Sequence, residues 1–163
     1  MDNTTLTIEN ASPLSSASLV YRIRNSLYLN ITNRCSNRCT FCPKFEDLNL
    51  KGHNLALEHE PNPQEILAAV GEHSDIDEIV FCGFGESLIR LDTVLVVARE
   101  LKQRGYRIRI NTDGQANLLH GRNILPELAG LVDCISVSLN APNAATYGEK
   151  KNKKFFQSFS LIF

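Results

Sequence analysis

Apolar positions along the chain come in short runs, and the runs switch between a two-residue and a helical period. Leu27-Tyr28-Leu29-Asn30-Ile31-Thr32 alternates and reads as a strand. Leu19 to Ile23 precedes it across Arg24-Asn25-Ser26, as a hairpin partner or an extended approach. A helix is predicted to open at Asn62-Pro63-Gln64-Glu65, with Asn62 as N-cap, Pro63 in the first helical position and Glu65 as the reciprocal cap. Ile66, Leu67 and Val70 form its apolar face, and Gly71 ends it. Asp77 to Cys82 reads as a second strand, Leu91 to Arg104 as a helix stopped by Gly105, and Tyr106 to Asn111 as a third strand. Residues 121–130 suggest a short helix that Pro126 either starts or breaks, and Cys134 to Leu139 reads as a fourth strand. Strands alternating with helices predict an α/β fold with a parallel sheet.

Such a sheet carries its chemistry at the C-terminal ends of its strands. The unusual segments all fall there. Cys35-Ser36-Asn37-Arg38-Cys39-Thr40-Phe41-Cys42 follows the first strand, Gly83-Phe84-Gly85-Glu86 the second, Asn111-Thr112-Asp113-Gly114 the third, and Asn140 the fourth. This coincidence predicts one composite site. The spacing C-x3-C-x2-C gathers three thiols in one short loop, a device for holding a metal or an iron–sulfur cluster. Three ligands leave one coordination position for a small molecule.

Composition narrows the picture only slightly. The 163 residues are 43% hydrophobic and 21% charged, with a net charge of −1, so neither nucleic acid nor an anionic membrane is indicated. Met1-Asp2-Asn3 lacks the basic start of a secretory signal, and no apolar run reaches the roughly 20 residues of a membrane span. Five cysteines without a disulfide framework suit a reducing cytoplasm. Cys82 and Cys134 lie in apolar runs and read as small core residues. Residues 1–18 read as a flexible arm, 19–148 as the core, and 149–163 as an atypical Lys- and Phe-rich tail.

The three cysteines, with Phe41 immediately before the third, resemble the signature of the radical S-adenosylmethionine (SAM) superfamily. Phe81-Cys82-Gly83-Phe84-Gly85-Glu86-Ser87 is similar to that family's glycine-rich segment, with Ser87 where Pro is usual. Tyr28 to Cys35 together with Gly83 to Glu86 more narrowly resembles the small TatD-associated radical SAM proteins. The resemblance implies a partial (β/α) barrel with about four parallel strands present. It implies a [4Fe–4S] cluster on Cys35, Cys39 and Cys42, with SAM on the remaining iron. Gly83, Phe84, Gly85 and Glu86 would position the methionine part, Phe41 the adenine side, and Ser138 and Asn140 the ribose. The implied activity is reductive cleavage of SAM to start radical chemistry on an unknown substrate, with an electron donor such as flavodoxin or ferredoxin.

Other readings of the same residues stay open. The cysteines suit zinc, completed by His53 or His59, in a module without catalysis. Arg107 and Arg109 suit a substrate carboxylate or a solvated face. The family barrel normally has six βα units, so a C-terminally truncated and inactive chain is a further expectation, as is a poorly ordered tail.

Overall fold

The computed structural model describes residues 17–47 and 49–140. The proposed tail at 149–163 lies outside these residues, as does almost all of the proposed arm. Ser18, placed in the arm by sequence, donates its backbone N–H to the Asn54 carbonyl at 2.6 Å.

Strand β1 (Val20–Ile23) and strand β2 (Ser26–Leu29) form an antiparallel hairpin, so the first of the two sequence alternatives holds. A two-residue-strand hairpin follows the cysteine loop, β3 (Asn49–Leu50) with β4 (His53–Asn54); its strands are too short to show a period. Helix α1 (Pro63–Val70) has the expected capping box. Its Glu65 N–H donates to Asn62 Oδ1 at 2.9 Å and the Asn62 N–H to Glu65 Oε2 at 2.7 Å. Strand β5 (Glu78–Phe81), helix α2 (Leu91–Gln103) and strand β6 (Ile108–Thr112) match their sequence patterns. Two short helices come next, α3 (Ala116–His120) and α4 (Leu125–Leu128), the latter with Pro126 in its first turn. Strand β7 (Cys134–Val137) completes a sheet of order β1-β2-β5-β6-β7, parallel from β2 onward.

Register explains the core. Leu27, Ile79 and Ile108 form one row across β2, β5 and β6, and Leu29, Phe81 and Ile110 the next. All six are buried and pack with Ile66 and Val70 of α1 and Val94, Val97, Ala98 and Leu101 of α2. Each such aliphatic or aromatic side chain contributes about 1.5–3 kcal/mol on burial. The opposite face is polar at its end. Arg109 bonds Glu78 at 2.7 Å and donates to Asn111 Oδ1 at 2.8 Å, while Glu78 accepts from Ser26 Oγ at 3.0 Å. The guanidinium holds the Glu78 carboxyl below its ordinary range. Arg109 is thus committed to an internal ion pair and not left for a substrate carboxylate.

Candidate metal and cofactor site

The four segments at the strand ends meet around one cavity of about 220 Å³. Cys35, Cys39, Phe41 and Cys42 line one side of it. Gly83, Gly85 and Glu86 come from the turn after β5, Asn111 and Thr112 from β6, Asp113 from just beyond it, and Ser138 and Asn140 from the segment after β7. Of the residues assigned to the cluster or to SAM from the sequence, only Phe84 is missing. Its side chain is buried with Tyr21 and Leu55, because the turn alternates direction and sends residue 84 away from the cavity.

The glycines of this turn are needed by neighbouring protein. A Cβ on Gly85 would lie 2.5 Å from the Arg34 carbonyl oxygen and closer still to that of Thr32, the residues leading into Cys35. A Cβ on Gly83 would meet the side chain of Asn30 and come within 3.1 Å of its Cα. The Glu86 N–H donates to the Arg34 carbonyl at 2.8 Å and ties the two segments directly. The glycines therefore let the β5 turn lie against the base of the cysteine loop. Glu60 braces that base from outside, accepting from Thr32 Oγ1 at 2.6 Å and Arg34 Nε at 2.6 Å.

A buried polar network locks the inner side. Glu86 accepts from the Leu88 N–H at 3.0 Å, Thr112 Oγ1 at 3.0 Å and the Asp113 N–H at 2.7 Å. Asp113 in turn accepts from Asn37 Nδ2 in a short hydrogen bond and from the Gln115 N–H at 3.0 Å. Gln115 Nε2 donates to Asn37 Oδ1 at 2.8 Å. Asn37, Glu86, Asp113 and Gln115 are all buried. Sequence reasoning did not assign these roles to Asn37 and Gln115, and nothing in their local spacing signals them.

Burial, with Asp113 adding, pushes the Glu86 carboxyl from an ordinary 4.5 up to about 7. The folded chain then holds this proton more tightly than the unfolded chain. Its contribution to stability is complete below about pH 4.5 and is lost as pH rises through about 7. Denaturant midpoints of the cofactor-free chain should fall across that window. Glu86→Gln should lower the midpoints overall and flatten their pH dependence; an unchanged slope would remove Glu86 as its source.

Two other cysteine expectations need correction. Cys82 is not sealed in the core: it lines the cavity beside the three loop cysteines, because it stands at the open end of β5. Cys134 is exposed, as is every residue of β7. The zinc reading gains no support from the histidines. His53 packs on the Tyr21 ring at 5.4 Å, and His59 bonds Glu65 at 3.2 Å; neither lines the cavity. Among the described residues, no three His, Cys, Asp or Glu side chains close on a single-ion site.

A family described as the radical SAM superfamily matches residues 29–158, which spans the cysteine loop and every strand end around the cavity. The chain belongs to the radical SAM superfamily. It is similar to a protein named probable GTP 3′,8-cyclase from Methanothermobacter thermautotrophicus, 35% identical over 123 residues, covering 75% of this chain and 37% of that protein. It is also similar to a tungsten-containing aldehyde ferredoxin oxidoreductase cofactor-modifying protein from Pyrococcus furiosus, 32% identical over 130 residues, covering 75% and 33%. The chain thus spans about a third of the length of these curated relatives. No solved structure matches it significantly. Among the described residues, no helix is long and apolar enough to cross a membrane.

The donor set fits the cluster that radical SAM proteins generally use. Three half-buried thiols share one cavity, and soft thiolates are the ligands of iron–sulfur clusters. Burial pushes the Cys35 thiol up, with Asp113 and Glu86 adding, against the opposing Asn37 N–H. A bound cationic iron centre would reverse that balance, since a coordinating thiol is deprotonated outright.

Proposed function

We propose that Cys35, Cys39 and Cys42 hold a [4Fe–4S] cluster and that SAM occupies the adjoining cavity. The observation carrying this reading is that the three loop thiols, Gly83, Gly85 and Glu86 of the turn after β5, Ser138 and Asn140 all line the same cavity. The cluster would supply the electron that cleaves SAM to methionine and a 5′-deoxyadenosyl radical, which begins chemistry on a substrate. The chain's own residues bind and orient. The Gly83–Glu86 backbone receives the methionine part, Ser138 and Asn140 the ribose, and exposed Phe41 the adenine side. A one-electron donor of flavodoxin or ferredoxin type is the implied partner. The curated relatives are named for different reactions, so their names do not converge on one substrate.

Anaerobic reconstitution with iron and sulfide should give about four irons per chain, as expected for a cubane on cysteine thiolates. Reduction with dithionite in the presence of SAM should then release 5′-deoxyadenosine. Cys35→Ala, Cys39→Ala and Cys42→Ala should each lose the iron, whereas Cys134→Ala, on exposed β7, should keep it. Stoichiometric zinc with no iron uptake would instead favour the non-catalytic module.

A further inference from the structure

The cysteine loop has a second, outward side. A groove of about 560 Å³ runs along it, walled by Arg34, Arg38, Lys44 and Phe45, with Ile89 and Leu119 supplying apolar surface. Cys35 lines both this groove and the cofactor cavity, so it is a wall common to the two. A molecule in the groove can approach the cluster position through that residue without entering the space assigned to SAM.

The charge of the groove is one-sided. Among the described residues, three cationic side chains line it and no carboxylate does. Arg34 is met by Glu60 at 2.6 Å. Arg38 and Lys44 instead lie over the Phe45 ring, at 5.6 and 5.1 Å from its centroid. Neither forms an ion pair among the described residues. Glu46 and Asp47 follow Phe45 in sequence but do not line the groove, and Asp47 accepts from the Asn49 N–H at 2.8 Å. The whole chain has a net charge of −1, so this local surplus is not a general basicity. Phe45 is 54% exposed and Leu119 42% exposed. Cations with no ion pair among the described residues, beside exposed aromatic and aliphatic surface, suit a protein surface of opposite charge; a small anion would leave the apolar part unused.

We infer that this groove is the docking face of an acidic one-electron carrier protein. The inference rests on the cluster reading above and names where its reductant binds. Electron-transfer encounters use small interfaces, below about 1,200 Å² in total, and rely on complementary charge for rapid association. One electron leaves the carrier and is gained by the group on the three thiols; no bond forms or breaks and no proton is exchanged in the groove.

The test uses the full chain, reconstituted anaerobically, and purified acidic flavodoxin as the probe. The parent should bind flavodoxin in a salt-sensitive titration. The double variant Arg38→Glu with Lys44→Glu should bind it at least about tenfold more weakly and with less salt dependence. Iron content and dithionite-driven 5′-deoxyadenosine formation should stay within about twofold of the parent, while flavodoxin-driven formation should fall by about tenfold or more. The milder pair Arg38→Gln with Lys44→Gln, which adds no negative charge, should show the same direction of change if the glutamates disturb the loop. Equal flavodoxin binding by parent and variants would overturn the inference, as would displacement of flavodoxin by micromolar inorganic phosphate at constant ionic strength, which would make the groove a small-anion site. Failure of the parent to cleave SAM with dithionite would instead defeat the functional reading. The binding titration still judges the docking face in that case.

Discussion

Gly85→Val is expected to abolish iron uptake and to destabilise the fold, rather than to weaken SAM binding alone. The β5 turn passes so close to the entry of the cysteine loop that even a Cβ overlaps the Thr32 and Arg34 carbonyl groups. These are backbone atoms, so rotating a side chain cannot relieve the overlap. Overpacking of this kind typically costs about 1–3 kcal/mol and can cost more where backbone must move. The movement would fall on the residues immediately before Cys35 and break the Glu86 N–H to Arg34 carbonyl bond. Iron per chain and the denaturation midpoint should therefore fall together, and Gly85→Ala should show the same effects in smaller measure. A Gly85→Val protein with full iron, parental stability and only weakened SAM binding would show that the ligand, and not the loop, requires the glycine.

Asp113→Ala should be the other severe change. Asp113 accepts from Asn37 in the cysteine loop and from the Gln115 N–H and Nε2 groups on its own side. Alanine would leave those buried donors without this acceptor, at about 1–3 kcal/mol for each group left unsatisfied, not strictly additive. It would also release the inner side of the loop between Cys35 and Cys39. The expected result is a loss of about 2–4 kcal/mol in stability and faster release of iron to a chelator. Asp113→Asn, which keeps one acceptor oxygen, should retain more of both. A double-mutant cycle with Asn37→Ala should give a coupling of at least about 0.5 kcal/mol, as for residues in one hydrogen-bond network. Additive effects would mean that Asp113 and Asn37 do not act through each other.

Much of the architecture was legible because its causes are local. The capping residues Asn62 and Glu65 contact each other within one turn, and the alternation in β2, β5 and β6 reports which side of each strand is covered. The shared location of the four motif segments followed from a parallel sheet, where successive strand ends share one edge. The short elements β3, β4 and α3 were not legible, since two to five residues are too few to display a period. Cys134 was misread because an apolar strand pattern does not say whether both faces are covered; β7 is the last strand of the described sheet, and its residues are exposed.

The sequence by itself determined the βα order, the family and the three cysteines proposed to hold iron, because spacing and periodicity are properties of near neighbours along the chain. Only the tertiary structure decided that Gly85 serves the cysteine loop, that Phe84 points away, that Cys82 faces the cavity, and that Asn37 and Asp113 clasp each other. Each of these depends on which distant segment lies alongside. Asn37 and Asp113 are 76 positions apart and meet only because β2, β5 and β6 lie side by side in a parallel sheet that brings their ends to one edge.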